Sequence, residues 1–268
     1  MSSDGAFIAP RRRQTIVELD EVSVEFDGER GAVVALQNVS LTIEAGDFLT
    51  VIGPSGCGKS TLLRVVADLI APTSGRARLL GEQPKLARER KEIGFVFQEH
   101  ALLPWCNALA NVELPLEVGA RRAPPANAMT PSQLLTLVGL ADRQDALPHE
   151  LSGEMRQRVA IARALVTGPR LLLMDEPFGA LDEITRDRLD EELVQIWQKT
   201  GTTIVFVTHS VSEALFLGRR VLVLAANPGR VLDIATTDLP EPRRLAVRES
   251  EPFMRQAAML RKLLEQCA

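Results

Sequence analysis

Residues 48–69 read FLTVIGPSGCGKSTLLRVVADL, a short apolar run, a glycine-rich turn and a segment with helical spacing. The turn matches the pattern G-x-x-x-x-G-K-[ST] in full, through Gly53, Pro54, Ser55, Gly56, Cys57, Gly58, Lys59 and Ser60. Glycines let backbone N–H groups curl around an anion, and a helix that follows points its positive end at the same place. The stretch therefore predicts a strand, a phosphate-binding loop and a helix from Ser60 to Leu69.

The side chains of this loop suggest a division of labour. Lys59 supplies a positive charge to β- and γ-phosphate oxygens, and the Ser60 hydroxyl is the expected protein ligand to Mg²⁺. Thr61 is included among the nucleotide-binding residues, whereas Cys57 lies inside the loop without a chemical role. The alternative is a plain glycine turn, which the strand before it and the helix after it disfavour.

A second candidate site lies in residues 171–176, which read LLLMDE. A buried strand can present acids only at its end, where the active-site crevice of such sheets opens. Asp175 is predicted to hold Mg²⁺ through water, and Glu176 to orient or deprotonate an attacking water. Taken alone, the same residues would fit an acidic turn that ends a strand.

The remaining pattern predicts an α/β fold. Residues 15–26 and 32–43 alternate apolar and polar residues, as half-buried antiparallel strands do. Apolar runs at 171–175, 203–208 and 221–225 are separated by helical patterns and are typical of buried parallel strands. We expect a P-loop NTPase core with a mostly parallel central sheet, an N-terminal antiparallel β region and a helical insertion.

The domain organisation follows from these segments. We expect a flexible tail over 1–14, one nucleotide-binding unit over 15–240 with the helical insertion at about 99–165, and a helical tail over 241–268. Within that tail, helical intervals separate Phe253, Ala257, Leu260 and Leu264, which favours a helix docked on the core.

Composition limits the classes of function. The formal net charge is −4, so the chain has no general attraction to nucleic acid or anionic lipid. Three cysteines without metal-ligand spacing fit a reducing cytoplasm. No run of about 18 apolar residues and no secretory signal are evident, so we expect any work at a membrane to depend on another chain.

Several further motifs resemble those of the ATP-binding cassette (ABC) transporter ATPases. Residues 151–158 (LSGEMRQR) look like the signature motif of that family, and residues 179–182 (GALD) look like its D-loop. Gln98 matches the Q-loop glutamine, His209 the switch histidine, and Phe26 the aromatic residue that stacks on adenine. The resemblance covers about residues 15–235, with all motifs in the family's order.

The resemblance implies ATP and Mg²⁺ as cofactors and a homodimer. In the family, the site that begins at Ser152 and Gly153 reaches the ATP of the other subunit. Gln98 is implied to touch the Mg²⁺ shell and the neighbourhood of a membrane partner, where Leu103, Pro104 and Trp105 could form an apolar seat. His209 and Glu176 are implied to serve hydrolysis.

A narrower resemblance concerns the importers of nitrate, sulfonate, taurine and bicarbonate. Segments 101–112, 176–186 and 221–231 look like that branch. It implies integral-membrane permease partners, an extracytoplasmic solute-binding protein reached indirectly, no nucleic acid, and a place at the cytoplasmic face of the inner membrane.

Two positions depart from the family pattern. Glu154 replaces the usual glycine of the signature, and we expect its side chain to turn away from the nucleotide. Phe26 replaces the common tyrosine, which keeps stacking and loses a hydroxyl. Two alternatives stay open: a cassette of DNA repair or translation, disfavoured because no basic stripe is present, and a non-catalytic regulatory cassette, supported by Glu154 alone.

Overall fold

The structure is a computed structural model, and it describes residues 14–28, 31–118, 125, 128–241 and 243–267. These residues form two β-sheets and eight α-helices. The larger sheet has six strands in the order β5-β6-β7-β3-β8-β9, and the smaller has three in the order β2-β1-β4. The expected tail over 1–14 lies almost wholly outside the described residues.

The larger sheet is parallel except at one edge. Its strands are β3 (Phe48–Ile52), β5 (Ile93–Val96), β6 (Leu171–Asp175), β7 (Thr203–Val207), β8 (Arg220–Ala225) and β9 (Arg230–Thr236). The first five run parallel, and β9 pairs with β8 in the antiparallel direction. Strands β3, β6 and β7 are buried along their whole length, as their continuous apolar runs predict.

The smaller sheet is antiparallel, as the alternating pattern predicts. It contains β1 (Thr15–Gly28), β2 (Gly31–Glu44) and β4 (Ser74–Leu79), with β1 in the middle. Apolar residues on one face of this sheet pack with α1 and with one face of the larger sheet, for example Leu171 and Leu173 of β6. The alternate residues of β6, Leu172 and Met174, belong to the second core on the opposite face.

The helices cover both faces of the larger sheet. They are α1 (Lys59–Val66), α2 (Pro84–Glu89), α3 (Ala108–Glu117), α4 (Pro131–Leu137), α5 (Gly153–Leu165), α6 (Glu183–Thr200), α7 (Val211–Leu217) and α8 (Glu251–Glu265). Within the described chain, no helix is long and apolar enough to cross a membrane. Helix α1 ends three residues earlier than expected because Asp68 adopts a left-handed backbone conformation, with φ of 58°.

Two stretches of the described chain are helical. The described residues of 99–165 contain α3, α4 and α5 and no strand, and α3 packs mainly on α5. Helix α8 spans the predicted 251–265 and buries Phe253, Ala257 and Leu260 against the core, with Leu264 partly buried. The helical tail is therefore docked on the nucleotide-binding unit through an apolar face.

Candidate functional site

The phosphate loop connects the centre of the larger sheet to α1. Its tip, at Ser55 and Gly56, is exposed, whereas Gly53 and Cys57 are buried. Gly58 has φ of 91°, and a Cβ atom there would lie 2.6 Å from the Ala35 carbonyl oxygen. Only glycine therefore fits at this close approach of the loop to β2.

Lys59 lies across the loop rather than in solvent. Its Nζ donates hydrogen bonds to the carbonyl oxygens of Gly53 at 2.9 Å and of Pro54 at 3.1 Å. The side chain is buried, and its ammonium group is held at the concave side of the turn by these two contacts. A phosphate oxygen placed in this turn would meet a lysine that is already positioned.

Burial also changes the cysteine of the loop. Cys57 is fully buried, and burial raises the pKa of its thiol, partly opposed by the charge of Lys59. A raised pKa means that less of the thiol is ionised at neutral pH, and the buried sulfur is not accessible to solvent. The Cys57 side chain therefore has a packing role behind the loop. Thr61, the next predicted binding residue, lies in the first turn of α1 and is half-buried.

The predicted metal ligands Ser60 and Asp175 are brought together. The Ser60 hydroxyl donates a hydrogen bond of 2.9 Å to Asp175 Oδ1, across 115 positions of sequence. Burial raises the pKa of Asp175, the Ser60 hydrogen bond opposes that shift, and the charge of Glu176 adds to it. A hydroxyl and a carboxylate in contact offer the oxygen ligands that Mg²⁺ prefers, so these residues fit the ion.

Glu176 and His209 form a second contact beside the first. Asp175 pairs with Val207 in the sheet, so the residues that follow β6 and β7 meet at its carboxyl edge. His209 Nδ1 lies 3.4 Å from Glu176 Oε2. The Glu176 backbone has φ of 46°, and its N–H donates to the Val207 carbonyl at 3.0 Å. This left-handed conformation directs the carboxylate toward the histidine.

Gln98 and Phe26 lie on neighbouring elements, and within the described chain no hydrogen bond or ion pair joins their side chains to Ser60, Asp175 or the Glu176–His209 contact. Val96, the last residue of β5, is opposite Met174, so Gln98 follows β5 next to the position where Glu176 follows β6. Phe26 is paired with Val33 on the β1–β2 hairpin, and both side chains are exposed. Two residues beyond Val33, Ala35 of β2 lies close to Gly58 of the phosphate loop, so Phe26 is on β1, the strand next to the one that borders the loop.

The predicted signature residues lie apart from the phosphate loop. Ser152 is the N-cap of α5, and its hydroxyl accepts a hydrogen bond from the Met155 N–H at 3.2 Å. Ser152 is exposed and Gly153 half-buried. Among the described residues, no hydrogen bond joins either to the loop. The start of α5 is accessible at the surface, and the N–H groups of a helix start favour an anion.

Comparison with known proteins decides the family. The family model described as ABC transporter matches residues 36–179, more than half of the chain. This chain belongs to the ABC transporter family. As an ABC-type ATPase, it binds and hydrolyses ATP.

Relatives of this ABC ATPase cover most of its length. It is 48% identical over 237 residues to the taurine import ATP-binding protein of Rhizobium johnstonii, with 86% of this chain and 87% of that protein covered. It is 40% identical over 250 residues to an aliphatic sulfonates import ATP-binding protein of Bacillus cereus, with coverage of 93% and 95%. Both relatives carry names that denote ATP-binding subunits of importers.

A solved ABC cassette also resembles the whole fold. The dimeric, post-hydrolysis structure of the cassette MJ0796 bound to ADP and phosphate matches with a TM-score of 0.72 and 34% identity. The match covers 82% of this chain and 98% of that one. The α/β architecture with an antiparallel N-terminal sheet is therefore confirmed as that of an ABC ATPase.

The signature of this ABC ATPase holds its unusual glutamate in ion pairs. Glu154 Oε1 accepts hydrogen bonds from Arg158 at 3.0 and 2.8 Å and also pairs with Arg188 of α6. The Glu154 side chain is only 19% exposed. It is turned toward α6, where two arginines rather than hydration hold it.

Two buried acids of this cassette were not identified from the sequence. Asp190 in α6 and Glu213 in α7 are almost completely buried. The sequence could have indicated that Glu213 is buried, because the apolar run ALFL follows it directly in the same helix. The helix is buried along that run. Asp182, by contrast, was expected at the D-loop, and it caps α6 by accepting from the Thr185 N–H at 3.0 Å, which lowers its pKa.

Proposed function

We propose that this chain is the ATP-hydrolysing subunit of an importer for a small anion of the taurine, sulfonate or nitrate type. The observation that carries the catalytic part is the pair of contacts Ser60–Asp175 and Glu176–His209 at one edge of the sheet, beside the phosphate loop. The substrate class is supported by the names of the taurine and sulfonate relatives.

Nucleotide binding would engage the phosphate loop and α1. Lys59 would exchange its two carbonyl contacts for β- and γ-phosphate oxygens, while loop N–H groups surround the phosphates. Phe26 would stack on the adenine ring. Ser60, Asp175 and Gln98 would hold Mg²⁺, which neutralises charge on the phosphate oxygens.

Hydrolysis would use the Glu176–His209 pair. Glu176 accepts a proton from the attacking water as the new oxygen–phosphorus bond forms and the bond to the bridging oxygen of ADP breaks. His209 donates a hydrogen bond to a γ-phosphoryl oxygen, where negative charge must be stabilised. The 3.4 Å contact with Glu176 would orient the imidazole before the nucleotide arrives.

A second copy of the chain would complete each site. Ser152 and Gly153 are at an accessible helix start, and in this proposal they bind the γ-phosphate held by the partner. The arrangement is two-fold symmetric and encloses two nucleotides. Closure of the pair on ATP would drive the attached permease, and hydrolysis would release it.

The permease is proposed to dock at the cytoplasmic face of the inner membrane, with a solute-binding protein acting from the other side. A groove of about 460 Å³ next to β5 and α3 is lined by Phe95, Phe97, Pro115 and Val118, among others. Trp105 follows nearby in the chain and is 75% exposed. The expected seat for a permease helix is Leu103, Pro104 and Trp105, and the apolar lining of the groove supports a contact surface close to it in the chain.

A nucleotide-binding experiment tests the catalytic part. Lys59→Ala should abolish binding of a fluorescent ATP analogue and reduce hydrolysis to background, because the ammonium group in the loop is lost. Lys85→Ala, which changes an exposed lysine of α2, is the matched control and should behave as the wild type. Equal ATP affinity in the two variants would contradict the proposed site.

Solute-stimulated ATP hydrolysis in vesicles tests the substrate class. The chain, purified with its membrane partner and the solute-binding protein, should hydrolyse ATP faster when taurine or an alkanesulfonate is supplied than when a sugar is supplied. Stimulation by a sugar alone would remove the anion assignment and leave the ATPase assignment intact. Stimulation by DNA or ribosomes, with no response to any solute, would favour the non-transport alternative.

A further inference from the structure

A pair of buried acids lies between α6 and α7, outside the proposed catalytic site. Asp190 has 0% and Glu213 has 4% of its surface exposed. Each carboxyl group acts on the pKa of the other, so the two lie close together in the interface between the helices. Two adjacent carboxylates without water would repel strongly, so the pair needs cations, protons or both.

The partners of the pair account for only half of its oxygens. Arg248, in the segment before α8, donates to Asp190 Oδ2 at 2.7 Å and also pairs with Asp187. The Thr208 hydroxyl donates to Glu213 Oε2. Among the described donors, none reaches the buried atoms Asp190 Oδ1 and Glu213 Oε1. Both are satisfied if one carboxyl keeps a proton and donates it to the other.

The direction of the pKa shifts agrees with a shared proton. Burial raises the pKa of Asp190 well above its ordinary value, and the charge of Glu213 adds to this shift, whereas the charge and the hydrogen bond of Arg248 oppose it. Burial also raises the pKa of Glu213, opposed by Thr208 and by the charges of Arg186 and His209. Asp187 is the remaining acid that faces the pair.

The same acid pair fixes the loop that carries His209. Thr208 Oγ1 accepts from the Ser210 N–H at 2.9 Å, and Ser210 Oγ accepts from the Glu213 N–H at 3.3 Å. The Thr208 N–H donates to Val51 of the neighbouring strand at 3.1 Å. His209 is therefore held between two anchored residues, while its imidazole projects toward Glu176.

We propose that Glu213 is a positioning residue for His209, and that the C-terminal segment sets Glu213 through Arg248 and Asp190. The connection runs from Arg248 to Asp190, across the acid pair to Glu213, and through the Thr208 hydroxyl to the loop. It rests on the proposed role of His209 in hydrolysis. The C-terminal tail thereby becomes part of the apparatus that sets the hydrolysis rate, besides its packing role.

The first test removes one hydroxyl. Thr208→Val keeps the shape of the side chain and loses the bond to Glu213, so kcat for ATP hydrolysis should fall about tenfold, with the affinity for a fluorescent ATP analogue unchanged. Thr208→Ser keeps the hydroxyl and should retain kcat within about twofold. Equal kcat in the two variants would overturn the role of the Thr208–Glu213 contact.

The second test changes the acid. Glu213→Gln can accept from Thr208 and donate to Asp190 without a shared proton, so kcat should stay within about threefold of the wild type. Glu213→Ala should lose kcat at unchanged nucleotide affinity. If Gln and Ala lower kcat equally, the hydrogen bonds of Glu213 do not position the loop, and this part of the proposal fails.

The third test concerns the C-terminal segment. Arg248→Met should lower kcat about three- to tenfold with unchanged nucleotide affinity, and Arg248→Lys should recover part of the loss. Leu260→Ala, a cavity in the docked face of α8, controls for a loss of Tm alone and should keep kcat. If Arg248→Met loses no more kcat than Leu260→Ala, the tail acts only through stability.

His209→Ala separates this proposal from the proposed function. If His209→Ala hydrolyses ATP like the wild type, the histidine has no role in hydrolysis and both proposals fail. If His209→Ala is inactive while Thr208→Val is fully active, the catalytic role of His209 stands and the positioning role of Glu213 is overturned.

Discussion

Two pairs of acids, Asp175–Glu176 and Asp190–Glu213, lie on either side of the loop that carries His209. The first pair ends β6 at the open edge of the sheet, and the Glu176 side chain remains 23% exposed. The second pair is closed between α6 and α7 and has almost no exposure. The residue types are the same, and the surroundings differ.

The partners of each pair explain the difference in task. Asp175 meets the Ser60 hydroxyl beside Lys59, an arrangement that can accept a divalent ion and phosphates. Asp190 meets the guanidinium of Arg248, and Glu213 meets the Thr208 hydroxyl. An acid at a strand end can exchange ligands with solvent, whereas an acid inside a helix interface can only hold fixed partners. The positions of the two pairs, one at a strand end and one inside a helix interface, thus separate chemistry from positioning.

The largest expected effect concerns the pair at the strand end, Asp175 and Glu176, which we call the open pair. Glu176→Gln should lower kcat about 10³-fold, because the amide cannot take a proton from water, and ATP binding should be retained. Glu183→Gln, an exposed acid of the first turn of α6, is the matched control. Steady-state hydrolysis and nucleotide binding measure the two quantities. Unchanged hydrolysis in Glu176→Gln would show that Glu176 is not the general base.

The buried pair should instead affect stability. Asp190→Ala should lower the free energy of unfolding by about 3 kcal/mol, because Glu213 and Arg248 then lose a buried partner. Asp187→Ala removes the more exposed partner of Arg248 and should cost about 1 kcal/mol. Urea unfolding of the two variants compares these values. Equal losses would mean that burial does not distinguish the two aspartates.

Much of this comparison could be anticipated from sequence and part of it could not. The apolar run that ends at Asp175 and the glycine loop around Lys59 predicted the open site, since each is a local pattern. Strands β4, β5 and β9 had no such signal, because all three are edge strands with mixed exposure. The Asp190–Glu213 contact depends on how α6 packs on α7, which no local pattern encodes.

The pH dependence of stability sharpens the comparison further. The raised carboxyl pKa values of the buried pair mean that folding takes up a proton. The associated stability is fully present below the unfolded pKa of about 4 and is lost as pH rises through the folded pKa. Each unit of pKa difference corresponds to about 1.4 kcal/mol.

Glu213→Gln isolates this contribution, because its amide replaces the shared proton. The fall in Tm as pH rises above about 4 should be less steep in Glu213→Gln than in the wild type. Thermal unfolding in a series of buffers measures both slopes, with Glu183→Gln as the control for removal of an exposed acid. A wild type and a Glu213→Gln variant with parallel slopes would exclude the shared proton.

The smallest effect should come from Glu154, in the first turn of α5. Glu154→Gln keeps the side-chain shape and removes the charge that pairs with Arg158 and Arg188. Because the Glu154 charge is already paired with the two arginines, kcat should change less than about threefold. The free energy of unfolding should fall by about 1 kcal/mol, because the ion pairs are lost. A large rise in kcat would show that the Glu154 charge does reach the nucleotide.

The position of Arg248 has a consequence for synthesis on the ribosome. Asp190 and Glu213 leave the exit tunnel before Arg248 does, since a chain is made from its N-terminus. Until Arg248 emerges, Asp190 lacks its ion pair, and closing α6 on α7 is opposed by the desolvation of the two acids. The nascent protein can complete this part of its interior only after Arg248 has been translated.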